Sequence, residues 1–211
     1  MSDELLRNRD YTVIVAKTAA GVGVAPPNFE ERWVTAHDAI VGLAQTCERF
    51  DPDGITIYIS SKDHTDGCFK QYKQVSSEQI STIFDENYPP EELNLLDGLQ
   101  VALNDYFASK AANQTKPNGA IIVVLIDGEP RDRMSIVKTI VQATEQIETD
   151  EELGIGFAQV GDDLIAKGFL TALDEDLRSQ ANAKFDIVHT RILGTTEPSS
   201  LTNFLTDIIH R

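Results

Sequence analysis

Ala120–Ile126, AIIVVLI, followed at once by Asp127-Gly128-Glu129-Pro130, is the most continuously apolar run in the sequence. Its seven apolar residues are mostly β-branched and lack the in-out alternation of a strand with one wet face. A strand buried on both faces has this pattern, and such strands lie at the centre of parallel sheets covered by helices on either side.

On either side of this strand, helical and extended patterns alternate. Upstream, Leu96, Leu99, Ala102, Leu103 and Phe107 set a helix over Leu95–Ala112, closed by the turn at Asn118-Gly119. Downstream, Pro130 suits the first turn of a helix running to about Thr149. A strand at Leu153–Val160, a helix at Asp162–Leu177, a strand at Phe185–Thr190 and a helix at Ser199–Ile209 complete that half.

In the first half, Tyr11–Ala16 reads as a strand, the Gly-rich Ala19–Pro27 as a loop, and Asn28–Phe50 as a helix capped by Asn28. Trp33, Ala36, Ile40, Leu43, Ala44 and Cys47 form one apolar stripe on that helix, which assigns Trp33 and Cys47 to the core. After the turn Asp51-Pro52-Asp53-Gly54 come a strand at Ile55–Ser60, a weaker edge strand at Phe69–Val75 and a helix at Ser76–Glu86 stopped by Pro89-Pro90. The whole predicts an α/β fold, a three-layer α/β/α sandwich with a mainly parallel, Rossmann-like central sheet and right-handed crossovers. Residues 1–10 read as an N-terminal extension and 11–211 as a single domain.

Composition narrows the function classes. With 34 acidic and 18 basic residues the chain carries a formal charge of −16, which opposes nucleic acid and anionic lipid as partners. Cys47 and Cys68 belong to no CxxC or CxxH pattern and read as reduced thiols. No apolar run reaches the length of a membrane span and no signal peptide is visible, so the expected location is the cytoplasm.

Catalytic patterns are absent. Gly21-Val22-Gly23-Val24-Ala25-Pro26 has two glycines of a dinucleotide-binding turn, but Pro26 stands where a small residue packs, and no acid closes the second strand. His37, His64, His189 and His210 show no metal-ligand spacing, and no nucleophile stands with a base. The runs Asp150-Glu151-Glu152 and Asp174-Glu175-Asp176 read as solvated faces near helix ends, and Asp63–Gly67 as an exposed polar loop.

In a parallel sheet ligands bind beyond the carboxyl ends of the strands. That directs attention to Lys17–Pro27, Glu86–Leu96 and Asp127–Arg133. The strand-loop-helix opening, the turn Cys47-Glu48-Arg49-Phe50-Asp51-Pro52-Asp53-Gly54, and Val123-Val124 before Asp127-Gly128-Glu129-Pro130 together resemble stand-alone bacterial von Willebrand factor A domains, from about Arg9 to Ile209.

The resemblance implies a metal-ion-dependent adhesion site: Asp-x-Ser-x-Ser after the first strand, a Thr from a middle loop and an Asp after the fourth strand. Against that pattern, Ala16-Lys17-Thr18-Ala19-Ala20 keeps only the Thr18 hydroxyl, Tyr88–Leu96 offers no Ser or Thr, and Asp127 alone matches an acid. One hydroxyl and one carboxylate are too few oxygens for Mg²⁺, so the expectation is a degenerate site with no metal and no cofactor. Asp127 is then expected to cap backbone donors before the helix at Pro130, or to pair with Lys17, Arg131 or Arg133.

These readings make the chain a non-catalytic protein-protein interaction or scaffold subunit. Its partner is expected at the carboxyl-edge residues Lys17, Thr18, Glu91, Glu92, Asp127, Glu129 and Arg131. The alternatives are a divalent-cation-dependent module in which Glu91 or Glu92 remodels the site, and a nucleotide-binding Rossmann-like enzyme.

Overall fold

The computed structural model describes residues 2–16, 29–60, 69–88, 94–193 and 198–210. Six strands form one sheet: β1 (Asp10–Ala16), β2 (Ile55–Ser60), β3 (Phe69–Val75), β4 (Ala120–Ile126), β5 (Leu153–Gln159) and β6 (Val188–Ile192), in the order β3-β2-β1-β4-β5-β6. All neighbours are parallel except β2 and β3. The antiparallel β3 sits at the edge, where Lys70, Gln71 and Lys73 are tolerated because much of the strand faces water.

Both faces are covered. On one lie α1 (Ser2–Leu6), α2 (Phe29–Glu48), α3 (Ile80–Glu86, entered through a 3₁₀ turn at Ser77–Gln79) and α7 (Pro198–Ile209). On the other lie α4 (Leu95–Ala111), α5 (Arg133–Thr144) and α6 (Leu164–Ala181). The apolar run of β4 is divided between them: Ile121, Val123 and Leu125 enter the first core, and Ile122, Val124 and Ile126 the second. The three-layer sandwich expected from the sequence is the observed architecture.

Several boundaries differ, each for a local reason. Pro130 precedes α5 instead of opening it: the helix starts at Arg133 with Asp132 as its N-cap, and Ile136 N–H donates to Asp132 O. It stops at Thr144, whose hydroxyl is held by its own helix through Val141 O and accepts the Lys184 N–H. Helix α6 runs on to Ala181 because Asn182 takes the left-handed conformation, φ 58°, that ends a helix cheaply. That shifts the last strand to Val188–Ile192.

The segment Leu5–Asp10 is packed against the sandwich. Leu6 is fully buried, Tyr11 Oη donates to Leu6 O, and the buried Arg9 donates to Leu5 O and Glu151 O. At the other terminus α7 lies close on β5, because a Cβ at Gly154 or Gly156 would collide with Ile208.

Candidate recognition site at the carboxyl edge of the sheet

Strand order reverses between β1 and β4, and the chain leaves β1 towards one helical layer and β4 towards the other. This is the point at which an open α/β sheet offers a crevice to a ligand. Ala16 and Ile126 are partners in register there, so the residue after β4, Asp127, stands beside the end of β1. Ala16 is buried and brings no side-chain oxygen to the edge.

Asp127 is 3% exposed, and a carboxylate so placed needs a compensating group. Arg32, from the first turns of α2, supplies one: its Nη1 lies 3.8 Å from Asp127 Oδ2 and donates to Asp127 O at 3.4 Å. The arginine stem passes Gly161, φ +88°, where a Cβ would come within 3.1 Å of Arg32 Cδ. Gly161 thus provides both the turn after β5 and the space for the arginine.

Of the partners expected for Asp127, Lys17 lies outside the described residues. The cation seen against Asp127 is Arg32, and Arg133 instead pairs with Glu129 one helical turn away. Nor does Asp127 stand at a helix start, since Asp132 occupies the N-cap of α5. Arg32 was not read as a site residue because a polar position beside the apolar stripe of α2 carries no sign of what it faces 95 positions further on.

Two further polar residues end strands at this edge, Ser60 on β2 and Gln159 on β5, both buried. Gln159 Nε2 donates to Asp163 O at 2.8 Å, while its Oε1 has no hydrogen-bond partner among the described residues. Glu129 and Arg131 are exposed beside Asp127. Lys17, Thr18, Glu91 and Glu92 lie outside the described residues, as do the loop Asp63–Gly67, Cys68, and the glycine turn Gly21–Pro26. Among the described residues no group of three or more His, Cys, Asp or Glu side chains could hold a metal ion, and no helix is long and apolar enough to cross a membrane.

The other singled-out residues have structural places. Trp33 is buried with its ring 4.5 Å from that of Phe84, and burial pushes the Cys47 thiol pKa up. The acidic runs are more than the solvated faces expected. Glu152 accepts from Glu148 N–H, Lys110 and Tyr106, and Asp174, in the middle of α6, accepts from the Thr190 backbone and hydroxyl. His189 lies between Asp174 and Asp207, 3.6 and 4.0 Å away, and His37 between Asp38 and Ser81.

No family model matches the chain, and no curated protein matches it. Solved structures do. The open conformation of the pilus adhesin SpaC from Lactobacillus rhamnosus GG superposes with a TM-score of 0.57 at 10% identity, over 95% of this chain and 30% of that one. The manganese-loaded TRAP protein of Plasmodium vivax gives 0.56 at 10% identity, covering 96% and 74%. The chain has a von Willebrand factor A-like fold. Proximal thread matrix protein 1 of the mussel byssus is similar at a TM-score of 0.50 and 13% identity, over 96% of this chain and 48% of that one. This chain therefore spans less than a third of the adhesin's length, and the shared von Willebrand factor A-like fold is what these likenesses establish.

Proposed function

We propose that this chain is a non-catalytic protein-recognition module that engages another protein through its carboxyl-edge loops without a bridging divalent cation. The pair Arg32–Asp127 carries the reading. A hard cation needs about six oxygen ligands and gives up water reluctantly. Here the Ala16 side chain contributes none, and a guanidinium lies against the one carboxylate that the metal-binding pattern retains. The donors among the described residues do not fit the ion, whereas a fixed positive charge beside Asp127 compensates the same carboxylate without a metal.

The contact surface proposed is Glu129 and Arg131 beside Asp127, together with Lys17 and Thr18 after the first strand and Glu91 and Glu92 before the helix at Leu95. The adhesin among its structural neighbours and the lack of a nucleophile-base pair support recognition over catalysis. Acidic composition and two cysteines outside any pairing pattern support a cytoplasmic location, either as a free adaptor or as a subunit of a complex.

The test is capture of the partner from native lysate with the tagged chain, with and without EDTA, beside a Glu129→Arg/Arg131→Glu variant. Retention in EDTA and loss in the variant are expected. Release by EDTA overturns the metal-free reading, and undiminished capture by the variant moves the contact elsewhere.

A further inference from the structure

At the amino end of the sheet, opposite the carboxyl-edge loops, the chain entering β1 and the loops before β4 and β5 surround a cavity of about 360 Å³. Its most buried polar side chain is Arg9, 2% exposed. Nε donates to Leu5 O at 2.5 Å and Nη1 to Glu151 O at 2.7 Å, while Nη2 donates to nothing among the described residues. Two carbonyls share a guanidinium charge without neutralising it, and among the described residues no carboxylate stands in ion-pair contact with Arg9. Burial accordingly works against its charge.

The remaining charges of the lining are sorted by what already holds them. Lys110 is paired with Glu152, and Lys116 with Asp51 and Asp53. That leaves Arg9 on one side and Glu148 and Glu151 on the other, two exposed residues whose carboxylates have no hydrogen bond or ion pair among the described residues. A simple anion would compensate Arg9 but meet the field of both glutamates, and a simple cation would leave Arg9 as it is. A phosphate monoester, with nearly two negative charges at pH 7, is opposed most strongly.

A molecule with a carboxylate at one end and an ammonium at the other answers both charges at once. The planar guanidinium suits the carboxylate, and the two glutamates suit the ammonium. Thr115 and Thr149 line the same cavity, and their hydroxyls make no hydrogen bond among the described residues. The volume lies at the low end of the range of small-molecule sites, about 300–1,000 Å³. We propose that this cavity binds a small zwitterion of the α-amino acid class with a polar, uncharged side chain, its carboxylate on Arg9 and its ammonium on Glu148 and Glu151. The site is separate from the carboxyl-edge surface and stands whether or not that surface recognises a protein.

The test is calorimetric titration of the purified chain with L-glutamine, beside N-acetyl-L-glutamine, which lacks the cation, and L-glutaminamide, which lacks the carboxylate. L-glutamine is expected to saturate one site, and each of the others to bind at least about tenfold more weakly for want of one charge-assisted contact. Glu148→Gln/Glu151→Gln alters two exposed side chains, so it folds as the wild type does. It is expected to weaken L-glutamine at least about tenfold and to leave N-acetyl-L-glutamine no weaker. Arg9→Gln is expected to abolish binding, with its urea midpoint measured alongside because Arg9 also ties Leu5 to Glu151.

No saturation by L-glutamine in the millimolar range overturns the proposal. Equal binding of N-acetyl-L-glutamine overturns it too, by making the cavity a plain anion site. Full affinity in the double glutamate variant does the same, by placing the ligand elsewhere.

Discussion

Arg32 Nη1 stands 3.8 Å from Asp127 Oδ2, joining the first turns of α2 to the end of β4 across the reversal of strand order. Arg32→Ala removes a cation from a buried carboxylate and is expected to cost about 1–3 kcal/mol in urea unfolding, below the full penalty of a deeply buried pair because the arginine is partly exposed. Asp127→Asn in the same background should recover part of that loss, since the two changes act on one contact. Strict additivity would mean that the pair does not stabilise the edge.

The close seat of α7 depends on two missing side chains. A Cβ at Gly156 would fall 2.3 Å from Ile208 Cδ1 and 2.8 Å from Phe204 Cζ. Gly156→Val is expected to destabilise by at least about 1–3 kcal/mol, the usual cost of overpacking a core, seen as a lowered urea midpoint. Tolerance of valine would show that α7 can lift without loss.

Glu152 sets a pH dependence. Burial works against its charge, but Glu148 N–H, the Lys110 ammonium and the Tyr106 hydroxyl outweigh it and hold the carboxyl below the usual glutamate range. A carboxylate with a depressed folded pKa contributes stability that is present above the unfolded value, about 4.3, and lost as pH falls through the folded one. Glu152→Gln should therefore cost about 1–3 kcal/mol at pH 7 and far less near pH 3. A cost independent of pH would show that charge plays no part.

Leu6 tests whether the first residues belong to the fold. It is fully buried against α7 and the first core, and Leu6→Ala should cost about 2–5 kcal/mol by urea denaturation. An extension that merely precedes the domain would lose almost nothing.

How much of this was legible follows from what each feature depends on. The all-apolar β4 announced a sheet covered on both faces, because two-sided burial is a property of seven adjacent residues. Trp33 and Cys47 fell into the core for the same reason, helical periodicity being local. Helix α5 was misplaced because Pro130 suits a first turn in isolation, while the competing cap at Asp132 is decided by the path of the loop. The partnership of Arg32 with Asp127, and that of Asp174 with Thr190, join elements distant along the chain and leave no trace in either segment. Burial of Leu6 and Arg9 escaped notice because a short charged segment shows no periodicity.

Recognition without a cation is decided by calorimetric titration of the purified chain with Mn²⁺. No saturable heat is expected from the wild-type chain. Saturable one-to-one binding of Mn²⁺, lost in Asp127→Ala, would contradict the account and make the edge a remodelled metal site.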